Sequence, residues 1–301
     1  MAFRILIACA ISAGCLLIGC TENHEGPLFV QDASAQDISS LKRDAEQGDA
    51  DAQTSLGLMY IRGEGVPENH AEALNWFRLA AEQGHSMAQY YLANSYYREG
   101  EVAEALKWYH LAASQGDVAT QLFLGGLYAG GDGERVPEDD AESAKWYRLA
   151  ADQGHADAQH ALGLMYARGE GVPESHAEAV NWFRFAAEQG HSMAQYHLAN
   201  MYVLGSGVPE NHLEAAKWYR LAAEQGHSDA QLALGLMYGA GQGVTESLVH
   251  GYSWVSLSAA QGNEEARDRK SLISEQMTPE EISAAQKLSS ECYSSNYKYC
   301  D

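Results

Sequence analysis

Basic residues are scarce in this chain: 19 Lys and Arg stand against 41 Asp and Glu in 301 residues, a formal net charge of −22. So acidic a surface repels phosphate backbones and anionic lipid headgroups, which argues against nucleic acid as a partner. The acids either keep a large surface soluble or form a face that selects basic partners. Cysteine is missing between Cys20 and Cys292, and no C-x-x-C occurs anywhere, so nothing points to thiol redox chemistry. G-x-S-x-G, a phosphate loop and a dinucleotide fingerprint are also missing. Ser39-Ser40-Leu41-Lys42 and Ser295-Asn296-Tyr297-Lys298 match S-x-x-K, but neither S-D-N nor K-T-G accompanies them and both read as chance. The 12 histidines include no pair three or four residues apart, the spacing of a helical metal pair. His85, His155, His191 and His227 share one repeated position, and neighbours at such positions sit roughly 10 Å apart, too far for one ion. No catalytic residue, metal or cofactor is expected.

Apolar residues make up 46% of the chain and charged residues 20%, enough to build a packed core. The first twenty residues differ from the rest. Arg4 is the only charge before Glu22, and Ile5–Ile18 is an apolar run interrupted only by small residues. It is too short to span a bilayer and has the shape of a secretory leader. Its end, Leu17-Ile18-Gly19-Cys20, resembles the bacterial lipobox, which implies a leader over 1–19 and a diacylglycerol on Cys20. Cys15 is a weaker rival, and an ordinary cleaved signal is the plain alternative. With Arg4 gone, 41 acids face 18 bases, and the mature chain carries −23. Residues 20–40 are polar, lack helical periodicity and contain Gly26-Pro27, so they read as a lipidated N-terminus and tether. Cys292 and Cys300 remain as an even pair in an oxidising compartment, either bonded to each other, free, or paired between chains.

The rest of the chain is periodic. Gln-Gly begins at Gln47, Gln83, Gln115, Gln153, Gln189, Gln225 and Gln261, in steps of 36, 32, 38, 36, 36 and 36. All six tryptophans (Trp76, Trp108, Trp146, Trp182, Trp218 and Trp254) keep the same beat. Such a period marks a solenoid of helix pairs. In the fourth unit the first helix carries Ala158, Ala161, Leu162, Met165 and Tyr166 on one stripe, and the second carries Ala179, Trp182, Phe183, Ala186 and Ala187. Gly163 costs that first helix about 1 kcal/mol of propensity. Its recurrence as Gly57, Gly125 and Gly235 marks a place where the next helix comes too close for a Cβ. Ser175 with Glu178, and likewise Asn69 with Glu72, Asp139 with Glu142 and Asn211 with Glu214, read as capping boxes opening the second helix. The sixth unit has Thr245 for the proline and no capping glutamate, so its second helix start is less secure. Pro67–Asn94 and Pro173–Asn200 agree at 24 of 28 positions, the trace of a duplicated block of three repeats.

The motif L-G-x-M-Y-x-x-G-x-G-V-P…E-A-x-x-W-[FY]-R-x-A-A-x-Q-G closely resembles the Sel-one-like repeat, a relative of the tetratricopeptide repeat, over residues 41–262. The second unit omits the Gly-x-Gly-Val-Pro turn, and the third is two residues longer there. Residues 263–301 resemble the capping helices that close bacterial members, with Thr278, Pro279 and Glu281 opening one of them. The resemblance implies an all-α, right-handed α-solenoid of six helix-turn-helix repeats. Some cysteine-rich relatives have been linked to penicillin binding, but they carry a Cys pair in each repeat and this chain has none. One stripe of the first helix varies between units: Met87, Tyr90, Asn94 and Tyr97; Asp157, His160 and Leu164; Met193, Tyr196, Asn200 and Val203. At 100° per residue it lies roughly opposite the constant stripe. By likeness to tetratricopeptide proteins it lines a groove that takes peptides or partner helices. The competing reading is a solvated face free to drift. The function expected is an envelope-anchored scaffold or adaptor for protein partners, monomeric and held to the membrane by its lipid alone. Thr21 after the cysteine favours the outer membrane, facing the periplasm. A cell-wall or β-lactam hydrolase, and a structural or stress lipoprotein with no ligand, are the alternatives.

Overall fold

A computed structural model describes residues 35–133, 135–297 and 300. The leader, Cys20 and most of the tether lie outside them. Among the described residues there are fifteen α-helices and no strand, and none of these helices is long and apolar enough to cross a membrane. The described residues divide into two compact units, the first ending at Leu149 and the second beginning at Ala150.

The first unit opens with α1 (Ala35–Glu46), followed by the pairs α2 (Ala50–Arg62) with α3 (His70–Glu82) and α4 (Ser86–Glu99) with α5 (Val102–Ser114). Then come α6 (Val118–Gly130) and α7 (Asp140–Asp152), which runs into the second unit. The second unit holds the pairs α8 (Ala156–Arg168) with α9 (His176–Glu188), α10 (Ser192–Leu204) with α11 (His212–Glu224), and α12 (Ser228–Ala240) with α13 (Leu248–Ala260). It closes with α14 (Glu264–Ser274) and α15 (Pro279–Ser294). Helix α1 starts inside the stretch 20–40 read as tether, a correction to that boundary. Its role explains why it folds: buried Ala45 offers its carbonyl to the next helix as Ala81 and Ala187 do, so α1 acts as the second helix of a half repeat.

Leu56, Leu92, Leu124, Leu162, Leu198 and Leu234, one per pair, are fully buried, and paired alanines on each second helix let the backbones approach closely. The recurring glycine sits where the next helix leaves no room. A Cβ on Gly163 would lie 2.6 Å from the Phe183 ring, and one on Gly125 would lie 2.6 Å from Tyr147. Gly190 ends α9 in the left-handed region at φ +90°.

The capping boxes are half boxes, a second correction. Asn69, Asp139, Ser175 and Asn211 accept from the backbone N–H three residues on, but their own N–H donates to the carbonyls of Tyr60, Tyr128, Tyr166 and Tyr202 at 2.9 Å. That bond pins the interhelical turn and leaves the glutamates to pair elsewhere, as Glu142 does with Lys145 and Glu214 with Lys217. Among the described residues the full reciprocal box forms only at Thr278 and Glu281, where Pro279 opens α15. The sixth pair needs no glutamate: Ser247 accepts from His250 N–H, and its hydroxyl lies 2.7 Å from His250 Nδ1.

The Gln-Gly marker has a structural cause that the sequence alone did not disclose. Gln159, Gln195 and Gln231 are buried in first helices and donate to the carbonyls of Ala151, Ala187 and Ala223. Gln189, Gln225 and Gln261, each at the end of a second helix, donate to their Oε1 at 2.7–2.8 Å. A buried amide is tolerated when donor and acceptor are both engaged. Gln53, Gln83, Gln89 and Gln115 repeat this in the first unit.

Candidate functional site

The variable stripe stands on the first helix of each pair and is walled by the second. In the first unit, Met87, Tyr90, Asn94 and Tyr97 of α4 are all half-buried. Tyr90 packs edge to face against Tyr91 at 5.5 Å and Phe123 at 6.3 Å, and lies 5.9 Å from Tyr109. Tyr109, fully buried on α5, donates its hydroxyl to Asn94 Oδ1 at 2.6 Å. Burial pushes the Tyr109 hydroxyl well above its ordinary value, so it stays a donor. The two-residue insertion of the third unit folds back over Tyr97. Asp132 N–H donates to Val136 C=O at 2.7 Å to close the loop, and the Tyr97 hydroxyl donates to the Asp132 carboxylate. The Arg135 guanidinium pairs with Asp132 at 3.3 Å and lies 4.4 Å from the Tyr97 ring centre. Burial first, and then the Asp132 hydrogen bond and charge, raise the Tyr97 hydroxyl to about 12, with Arg135 opposing them.

In the second unit, Met193 is exposed on α10 while Tyr196, Asn200 and Val203 are half-buried. Tyr219 of α11 repeats the first unit, with its hydroxyl donating to Asn200 Oδ1 at 2.5 Å and its ring 5.8 Å from Tyr196. Tyr196 stacks on His227 at 4.9 Å, and His227 Nε2 lies 3.0 Å from Met193 Sδ. On α8, Asp157 is exposed and pairs with His191 at 3.1 Å. Leu164 packs against the core around Phe183. His160 stacks between His191 at 4.7 Å and His197 at 5.3 Å.

Three of the four histidines at the shared repeat position cap a helix with the ring, whereas the His155 side chain makes no capping bond. His85, His191 and His227 accept the N–H of Ala88, Ala194 and Ala230 at Nδ1, where Asp49 and Asp117 do the same with a carboxylate. Burial, followed by the neighbouring imidazoles, lowers His160 to about 3. Burial likewise lowers His197 to about 4. Both are neutral at pH 7, and His160 Nε2 is buried without a hydrogen bond. Among the described residues no three His, Cys, Asp or Glu side chains are grouped to hold a metal ion. Cys292 and Cys300 are bonded, with Cα atoms 4.6 Å apart, and both are buried.

The stripe therefore does not face away from all packing, as its angle on the helix implies. Asn94 and Asn200 hold buried tyrosines, and Tyr97 is clasped. Sequence reasoning missed Tyr109, Tyr219, His197, Asp132 and Arg135. A signal for the tyrosines is present: where the first helix reads Leu-Ala-Asn the second has Tyr (Tyr109, Tyr219), and where it reads Leu-Gly-Leu the second has Phe (Phe77, Phe183) or Val (Val255).

Stacked helix pairs with a constant packed stripe and a variable aromatic stripe define a helical-repeat protein of the tetratricopeptide-like class. Six consecutive Sel1 repeats match at residues 50–85, 86–117, 118–155, 156–191, 192–227 and 228–263, and the chain belongs to that family. It is 33% identical, with a TM-score of 0.70, to the crystal structure of a protective antigen of uropathogenic Escherichia coli that displays an SLR fold. The match covers 88% of this chain and 57% of the antigen, so the chain spans little more than half that protein's length. A Sel1 repeat protein from Oxalobacter formigenes is 32% identical with a TM-score of 0.57, over 74% of this chain and 90% of that one. An F-box protein of Arabidopsis thaliana is 39% identical over 56 residues, 19% of this chain and 15% of that protein.

Proposed function

We propose that the chain is a lipid-anchored scaffold of the bacterial cell envelope whose helix-A stripe binds partner proteins. Sel1 repeat proteins generally mediate protein–protein interaction, and the family is typically non-enzymatic. The observation that carries the reading is the half-buried, rigidly held aromatic surface around Tyr90 and, separately, around Tyr196. Tyr, Met and Asn fixed in place by neighbouring helices offer contact area at low entropic cost. A solvated face free to drift would not place a tyrosine hydroxyl bond beneath each asparagine. The lipobox-like end at Cys20 supports the envelope placement.

The test is a photo-crosslinking amino acid placed at Met193, and in a parallel strain at Met87, with Lys287 on the outer face of α15 as control. The reading requires a discrete protein adduct from the stripe positions and none from Lys287. The same adducts from all three positions, or none from the stripe, would overturn it.

A further inference from the structure

A second surface lies on the other helix of each repeat. Three residues after Trp, every second helix carries a large apolar side chain. In the second unit these are Phe185, Leu221 and Leu257. Phe185 is 50% exposed and Leu221 43%, whereas Leu257 is only 4% exposed. Leu257 is covered by the chain's own amphipathic tail: it shares a core with Cys292, Cys300 and Tyr297, and α15 turns Ile282, Ala285 and Cys292 inward. In the second unit the residue before Gln-Gly changes with the covering. It is Glu188 and Glu224 beside the exposed positions and Ala260 beside the covered one. The cover stops at the edge of the next position, where Tyr297 comes within 3.1 Å of a Cβ built on Gly226, two residues beyond α11. The first unit repeats the exposure at Leu79 (46%) and Leu111 (45%), with Glu82 beside the first and Ser114 beside the second.

The cations of these helices are already engaged, and Arg220 also acts on Glu224, whose carboxyl pKa burial raises. Arg184 and Arg220 donate to the hydroxyls of Tyr202 and Tyr238, and Lys217 pairs with Glu214. Phe185 also rests edge-on against Trp182 at 5.7 Å, which fixes it as a platform.

We propose that Phe185 and Leu221, flanked by Glu188 and Glu224, dock an amphipathic helix of a partner protein that carries aliphatic side chains bordered by Lys or Arg. The tail on Leu257 shows that an amphipathic helix fits this position, and the acids at the open positions state the sign of charge it must bring. Two occupants closer to hand carry the wrong charge. Residues 20–34 contain Glu22, Glu25 and Asp32 and no Lys or Arg, and a second copy would set Glu188 and Glu224 against their own kind. The surface is separate from the helix-A stripe, so the two readings fail independently.

The probe is a labelled synthetic Leu/Lys amphipathic helix of 18 residues, titrated against the full mature chain by fluorescence anisotropy, with the Leu/Glu peptide of the same pattern as control. Binding is expected for Leu/Lys and not for Leu/Glu. The double variant Phe185→Ser/Leu221→Ser should weaken it at least tenfold with an unchanged melting temperature, since both side chains are exposed. Glu188→Gln/Glu224→Gln should weaken it severalfold and flatten its salt dependence, and Met193→Ala should leave it unaltered. Equal binding by the Phe185→Ser/Leu221→Ser variant would reduce the effect to the chain's net charge and overturn the proposal. Loss on Met193→Ala would move the site to the stripe and overturn it too. Sedimentation of the wild type as a dimer that Phe185→Ser/Leu221→Ser dissociates would assign the surface to a second copy instead.

Discussion

Asn200 reads from sequence as a contact residue, yet its side chain holds Tyr219, whose hydroxyl has left bulk water and needs an acceptor. Asn200→Ala is expected to cost about 1–3 kcal/mol by stranding that hydroxyl. Tyr219→Phe in the same background should restore most of the loss, since Phe183 fills the matching position beside Gly163 without any acceptor. Urea melts of the four members of the cycle measure this, and equal stability of Asn200→Ala and the double variant would remove the bond from the account. The histidine cluster has a different sensitivity. His160 faces His191, His197, Asp157 and Arg168, and His197 faces His191, His227 and Arg168. Both folded values are depressed, so the neutral rings stabilise the fold above the ordinary imidazole value of about 6.5. That contribution is lost as the pH falls from there toward about 3 and about 4. Melting temperature should decline across that window, and His197→Tyr, which restores the Tyr91 of the duplicated block, should flatten the decline. An unchanged slope would show that other groups govern acid stability.

At the scale of elements, the shared histidine position reads from sequence as a turn residue, and the structure makes it, at His85, His191 and His227, a helix cap that accepts at Nδ1. The half boxes show the same limit: S/N/D-x-x-E marks where a helix starts, but the destination of the N-cap N–H is a tyrosine carbonyl from the preceding helix. The tail is the element with most at stake, because α15 and the Cys292–Cys300 bond cover Leu257 and Trp254. The bridged loop is short, so its entropic stabilisation is about 2–3 kcal/mol at most. Both cysteines should resist alkylation in the native protein until it is reduced. Reduction should lower the melting temperature by the few degrees that such a contribution implies. Two thiols alkylated without reductant would contradict the bond.

At the scale of the whole molecule, attachment and body are separable. None of the described helices is long and apolar enough to cross a membrane, and the attachment proposed above is a lipid on Cys20. Cys20→Ser should therefore turn a detergent-extracted protein into an unprocessed or soluble one, read by fractionation and by migration against wild type. Identical fractionation of the two would sink the lipobox reading.

What the sequence determined by itself was the repeating framework. The Gln-Gly and Trp beats, the packed stripe, the glycines too crowded for a Cβ and the Thr278-Pro279 helix start are carried by residues within one repeat, so a pattern along the chain is enough to read them. Only the tertiary structure decided which side of the stripe is free. Tyr109 meets Asn94 from 15 residues away, Asp132 clasps Tyr97 from 35, and Gln225 completes Gln195 from 30. Those bonds form between helices, and an angle on a single helix says where a side chain leaves the backbone but not what the next helix brings to meet it. The same holds for Leu257 and Leu221, which share a repeat position and differ only because a tail folds over one of them.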